Sequence, residues 1–217
     1  MLRERFIAPE MLDHAPPDIA LASLRDLARV NRYLGGYNVL GRLFDSVAKH
    51  EDSFSVLDIG AASGDMGAAI VRRFPHARVT SLDYKRDHLE QATDPKLVAD
   101  AFRLPFRPAS FDFVFSSLFL HHFTNEQVLE LFRSFRCLAR RAVLAIDLDR
   151  GPLAYHFLPC TRWLFGWHDI TVSDGQISVQ AAFQKDELQT LAVQAGLAGA
   201  QVRVYRPWSR LGLIGRV

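Results

Sequence analysis

The sequence predicts an α/β fold: a parallel sheet with helices on both faces and one antiparallel strand near its end. Three observations carry this expectation. Apolar runs alternate with segments of helical periodicity from Phe54 to Ala195, which is the pattern of repeated βα units. The run Phe111–Ser117 is apolar almost throughout, interrupted by Asp112, as in a strand buried on both faces. The chain ends in two apolar segments, Ala200–Tyr205 and Leu211–Val217, around Pro207-Trp208-Ser209-Arg210. They read as a hairpin, and a hairpin supplies the antiparallel strand.

The elements follow in order. Pro16-Pro17 end one segment, and Asp18 is placed to cap the next. Leu21, Leu24, Leu27, Ala28 and Leu34 are spaced for an amphipathic helix over Ile19–Leu34, which Gly35-Gly36 stop or kink. A second helix is expected over Val39–Lys49. Phe54–Ile59 is the first strand, Gly64–Phe74 a helix closed by Pro75, and Ala77–Leu82 the second strand. A short helix, Lys85–Ala92, and a short third strand, Lys96–Ala99, lead to the fourth strand at Phe111–Ser117. Thr124-Asn125-Glu126-Gln127 has the capping-box pattern, and Val128, Leu131, Phe132, Phe135 and Leu138 form the stripe that this helix buries. Ala142–Ile146 is the fifth strand. Residues 151–183 are irregular in pattern, with aromatics and histidines. Lys185–Ala195 is a helix that Gly196 can cap.

Composition narrows the partners. The 217 residues suffice for one substantial domain, 49% of them apolar and 23% charged, with a net charge of +2. That charge is too small to argue for nucleic acid. Arg133, Arg136, Arg140 and Arg141 read as a solvated face of one helix, and Arg203, Arg206 and Arg210 are scattered near the end. Cys137 and Cys160 make no CxxC and no zinc spacing, so no disulfide or metal is expected. Met-Leu-Arg-Glu-Arg-Phe carries no apolar core of a secretory signal, and no run approaches a membrane span. The expected compartment is the cytoplasm.

The chemistry concentrates in Ser55-Val56-Leu57-Asp58-Ile59-Gly60-Ala61-Ala62-Ser63-Gly64-Asp65. A strand, a small-residue loop and a helix N-terminus form a cradle for a nucleoside-type cofactor. Ala62 and Asp65 stand where a dinucleotide fingerprint has its second and third glycines, and Asp65 is a poor neighbour for a pyrophosphate. Asp83, ending the second strand 23 positions after Gly60, can accept from both ribose hydroxyls or cap the next helix. After the third strand, Asp100 can accept from an exocyclic amine and Phe102 can line an adenine pocket.

With these residues in this order, the chain resembles the class I S-adenosylmethionine-dependent methyltransferases, especially those acting on quinones and polyketide-type phenols. The carriers are Val56–Gly64, Leu82-Asp83, Ala99-Asp100-Ala101-Phe102 with Leu104-Pro105-Phe106, and Phe111–Ser117. The resemblance implies a Rossmann-like three-layer αβα sandwich with seven strands, the last antiparallel. It implies that Asp83 binds the ribose, Asp100 the adenine amine and the Gly60–Gly64 loop the methionine part, with Ala62 where the family usually has glycine. Asp58, Tyr84, Ala101 and Ser117 complete the expected cofactor set. Arg32, beside Gly35-Gly36, is a further candidate for the cofactor's carboxylate.

The expected organisation is a single methyltransferase domain, with residues 1–50 as a helical cover and 151–183 as a substrate-side insertion. Ligands of such sheets sit beyond the carboxyl ends of the strands. His121, His122 and His168 are therefore the candidates to take a proton from a phenol, whose ionisation at pH 7 costs roughly 4 kcal/mol. Asp169 was placed to orient His168, and Asp147 and Asp149 to serve as loop or cap residues. The function expected is methyl transfer to a small hydrophobic or phenolic acceptor, on oxygen by preference. C-methylation of a quinone precursor, an NAD-dependent oxidoreductase and a non-catalytic cofactor-binding partner subunit are the alternatives.

Overall fold

The computed structural model describes residues 4–93 and 95–217, and at Asp13, Pro17 and Asp18 the backbone alone. The cap expected of the Asp18 side chain thus lies outside the described residues. Seven strands form one sheet: β1 (Ser55–Ile59), β2 (Arg78–Asp83), β3 (Lys96–Val98), β4 (Phe111–Ser117), β5 (Ala139–Leu148), β6 (Gln201–Tyr205) and β7 (Arg210–Arg216). Their spatial order is β3-β2-β1-β4-β5-β7-β6. Strands β1 to β5 run parallel, and β7 runs antiparallel between β5 and β6. The α/β class and the antiparallel hairpin strand are as the sequence predicts.

Seven helices accompany the sheet among the described residues: α1 (Pro17–Tyr33), α2 (Gly36–Asp45), α3 (Asp65–Arg73), α4 (Asn125–Leu138), α5 (Pro152–Phe165), α6 (Asp169–Ala181) and α7 (Lys185–Gln194). Because side chains alternate along a strand, β4 feeds two cores. Phe113 and Phe115 enter the layer under α2 and α3, where Phe44 and Phe54 meet them ring to ring and Phe74 packs on those two. Val114 enters the opposite layer with Leu131, Phe132 and Phe135 of α4 and Leu188 of α7. Each such buried side chain stabilises the fold by roughly 1.5–3 kcal/mol. The capping box at α4 forms as expected, Gln127 N–H donating to Thr124 Oγ1 and Thr124 N–H to Gln127 Oε1.

Three expectations are corrected. Residues 151–183 are two helices, α5 and α6, rather than irregular chain. Their periodicity is weak because α5 has no buried residue and exposes Leu153, Trp163 and Leu164, so no polar face contrasts with an apolar one. The segment 85–92 forms a short 3-10 turn at Asp87–Gln91. Arg140 and Arg141 belong to β5, not to the helix of Arg133 and Arg136. Arg140 pairs with Asp112 at 3.0 Å, and Arg141 donates to Val47 O at 2.7 Å.

The chain before α1 crosses the carboxyl end of the sheet and is fastened there. Arg5 donates to Ala181 O, Phe123 O and Asn125 Oδ1 at 2.6–2.8 Å and lies over the Phe183 ring. Asp174 of α6 accepts from Met11 and Leu12 N–H at 2.8 and 2.9 Å. No described helix is long and apolar enough to cross a membrane.

Candidate active site

A cavity of about 840 Å³ opens at the carboxyl ends of β1, β2 and β4. Of the expected cofactor residues, Asp58, Gly60, Ala62, Asp83, Tyr84, Asp100, Ala101, Phe102 and Ser117 line it. Three strands thus deliver three acids to one space. Asp83 accepts from Ala62 N–H and Lys85 N–H, both at 3.0 Å, so it ties the small-residue loop to the end of β2. Asp100 accepts from Phe102 N–H at 2.9 Å, which sets the turn that presents Phe102.

The loop residues hold strained or crowded positions. Gly60 has φ +72, and a Cβ there would lie 2.4 Å from the Phe119 ring. Ala62 has φ +47, a conformation that costs an L-residue about 1–2 kcal/mol. Gly64 lies off the cavity wall: it caps α3 with φ +73, and a Cβ would meet Ala92 at 2.7 Å. Its smallness serves packing of the protein on itself rather than the approach of a ligand.

Burial and the charges of Asp65 and Asp83 push the Asp58 carboxyl up to about 8, against one Gly67 N–H that favours its charge. Its Oδ2 has no hydrogen-bond partner among the described residues, nor do Asn31 Oδ1, Ser117 Oγ and Arg210 Nη1. All four residues line the cavity. Buried polar atoms left unsatisfied cost roughly 1–3 kcal/mol each, so this wall is built for a polar guest with both donors and acceptors.

Two further sequence candidates, besides Gly64, fall outside. Arg32 is exposed on α1 over the Tyr33 ring. The neighbouring Asn31 faces the site instead, donating to Asp65 Oδ2 at 3.0 Å, because consecutive residues on a helix point about 100° apart. His168 caps α6: its N–H donates to Asp26 Oδ2 at 2.8 Å and its Nδ1 accepts from Ile170 N–H at 3.4 Å. Asp169 is paired with Arg162 rather than with His168.

The remaining histidines sit together at the polar end of the cavity. His121 is fully buried, with Nδ1 2.6 Å from Asp147 Oδ1. Its Nε2 is 3.5 Å from Glu10 Oε1 without a formed hydrogen bond. Burial opposes the imidazolium, but Asp147 and Glu10 outweigh it and push His121 up to about 10. At pH 7 this ring holds its proton and accepts none. His122 is partly exposed, with Nδ1 3.8 Å from Glu10 Oε1.

Sequence reading missed Glu10, Asn31 and Arg210 as cavity residues. Arg210 is fully buried; burial lowers it to about 10 despite the charges of Asp147 and Asp65. Its position at the start of β7, between β5 and β6, brings it into the same cavity as Gly60, 150 residues earlier in the sequence. The signal available was a cation next to a turn, which on its own favours a solvated side chain.

Residues 56–150 match the family model described as a methyltransferase domain. This match spans less than half of the chain. The sheet order with its antiparallel β7 is that of a Rossmann-like methyltransferase fold. A search of curated proteins returns no match. Among solved structures, the chain is similar to a plantazolicin methyltransferase in complex with S-adenosylhomocysteine, at 14% identity and a TM-score of 0.68, over 92% of this chain and 89% of that one. It is similar to human N-acetylserotonin methyltransferase, in complex with S-adenosylmethionine, at 18% identity and 0.64, over 89% of this chain and 54% of that one. A methyltransferase from Aquifex aeolicus aligns at 12% identity and 0.63, over 94% and 99%. Several of the matched structures are longer, and the chain spans 54–66% of five of them. The cofactor of the class is S-adenosylmethionine, and the donor set fits it: acids for a ribose, an amine and an ammonium, and Arg210 for a carboxylate.

Proposed function

We propose that this protein transfers the methyl group of S-adenosylmethionine to a small, largely apolar acceptor. The observation that carries the reading is the cavity itself. Its lining combines Asp58, Asp83 and Asp100, at or just beyond the ends of β1, β2 and β3, with Leu24, Leu27, Phe157, Leu158 and Val179 from α1, α5 and α6. The bound cofactor supplies an electrophilic methyl group on a sulfonium. In this reading Asp83 holds the ribose and Asp100 the adenine amine. Asp58, Asp65 and Asn31 Oδ1 receive the ammonium, and Arg210 with Ser117 receives the carboxylate. Residues 4–50 form the cover, and α5 with α6 forms the acceptor wall.

Most of the rate then comes from holding acceptor and methyl in line in a dry site. Oxygen of a phenol is the acceptor atom we favour. His122 and the Glu10 carboxylate lie at the polar end of the cavity, where an acidic hydroxyl can lose its proton. His121 acts there as a fixed cation that orients Glu10 and Asp147, and His168 takes no part.

Calorimetric titration with S-adenosylhomocysteine and with NAD tests the cofactor. The first is expected to bind and the second not; the reverse overturns the reading. Asp83→Ala is expected to weaken S-adenosylhomocysteine at least tenfold, and unchanged affinity removes Asp83 from the site. Once an acceptor is found by screening phenols and quinols, His122→Ala should lower kcat and His168→Ala should leave it unchanged.

A further inference from the structure

We propose that Glu10, His121 and His122 form a binding site for a divalent transition-metal ion, of the zinc type, at the polar end of the cavity. The sequence offered no such spacing, since Glu10 lies 111 positions before His121. Folding brings the three together: one ligand atom from each lies within 4.8 Å of the others. His121 Nε2 is 3.5 Å, and His122 Nδ1 3.8 Å, from Glu10 Oε1. Two nitrogen or oxygen ligands of a tetrahedral zinc ion lie about 3.4 Å apart, from bonds of about 2.0–2.1 Å, so shifts of a few tenths of an ångström to about an ångström would complete the set.

A second observation points to a ligand. His121 is fully buried, and its Nε2 faces this space without a hydrogen-bond partner among the described residues. The ring is fixed from behind. Nδ1 meets Asp147 Oδ1 at 2.6 Å, and Asp147 is itself held by the N–H groups of Leu148 at 2.8 Å and His121 at 3.2 Å. A carboxylate behind one imidazole nitrogen, with the other nitrogen toward the metal, is how metal-binding histidines are oriented. Glu10 is aimed in the same way by a short hydrogen bond from Ser178 Oγ.

Two imidazoles and one carboxylate select a borderline ion over magnesium or calcium, which prefer all-oxygen shells. Metal ligation takes the place of the Nε2 proton on His121. The three residues all line the cavity, so the open coordination positions face the acceptor space. With an ion bound, His122 would be committed as a ligand, and the ion would supply Lewis-acid chemistry that lowers the pKa of an acceptor hydroxyl, whose proton would go to solvent. The site stands on its own geometry and does not depend on the methyl-transfer reading.

The test is titration of the metal-stripped full chain with zinc chloride, in wild type, Glu10→Gln, His122→Ala and, as a surface control, His156→Ala. Cobalt(II) then serves as the spectroscopic probe. The expected result is one equivalent of zinc in wild type and in His156→Ala, with affinity at least tenfold weaker in each of the other two variants. Cobalt should give a visible ligand-field spectrum in wild type that both variants lose. No saturable equivalent, or wild-type affinity in either Glu10→Gln or His122→Ala, overturns the site. S-adenosylhomocysteine is titrated in parallel, so that failure of the metal site and failure of the cofactor reading are told apart; circular dichroism confirms that the variants fold.

Discussion

At Ala62, side-chain chemistry and backbone geometry disagree. The position has φ +47 and its N–H holds Asp83 at 3.0 Å, so the turn is required and the methyl group is the strained part. Ala62→Gly is expected to raise unfolding stability by about 1 kcal/mol, the αL cost less the added chain entropy. Chemical denaturation reads this as a shift in midpoint at constant m; a lower midpoint would show that the methyl group packs usefully. Asp58, Gly60, Asp83 and Asp100 were legible as a set because each lies within two residues of a strand's carboxyl end. Arg32 was not, because one residue's offset on α1 turns Asn31 inward and Arg32 outward. His121 lies in the cavity wall, and two buried carboxylates, one 26 and one 111 positions away, favour its protonated form.

Elements with local signals were read correctly. The capping box of α4 is four consecutive residues, and Thr124→Ala should cost about 1 kcal/mol, measured as lowered stability with no change in cofactor affinity. A loss below about 0.3 kcal/mol would show that tertiary packing alone holds this helix start. Strands β1, β2 and β4 were legible because burial on both faces leaves near-continuous apolar runs. Helices α5 and α6 were not. One side of α5 faces the apolar cavity through Leu153, Ala154, Phe157 and Leu158, and the other exposes Trp163 and Leu164. With apolar residues on both sides, the 3.6-residue period loses the contrast on which reading it depends.

The whole molecule carries a buried charge arrangement that makes its stability depend on pH. His121 is raised from its ordinary 6.5 to about 10, so its contribution is full below about pH 6.5 and is lost as pH rises to about 10. Asp58 is raised to about 8. The folded state therefore binds more protons than the unfolded one between about pH 4 and 8, and stability from this group also falls as pH rises there. Glu10 and Asp147 are held below their ordinary values, so their contribution is lost as pH falls. Urea denaturation should show a decline from pH 6.5 to 9.5. His121→Gln should flatten the part above about pH 9, where Asp58 is largely titrated; an unchanged slope there would mean that His121 is not the group responsible.

The sequence by itself determined the α/β class, the strand–loop–helix around Gly60 and the strand-end acids, because all of these are written in neighbouring residues. The tertiary structure decided what surrounds them. Glu10 reaches His121 across 111 positions, Arg210 arrives on the strand inserted between β5 and β6, and α5 with α6 closes the apolar wall. These juxtapositions depend on how the segment before α1 and the strand after α7 return to the carboxyl end of the sheet, and no local pattern encodes that return.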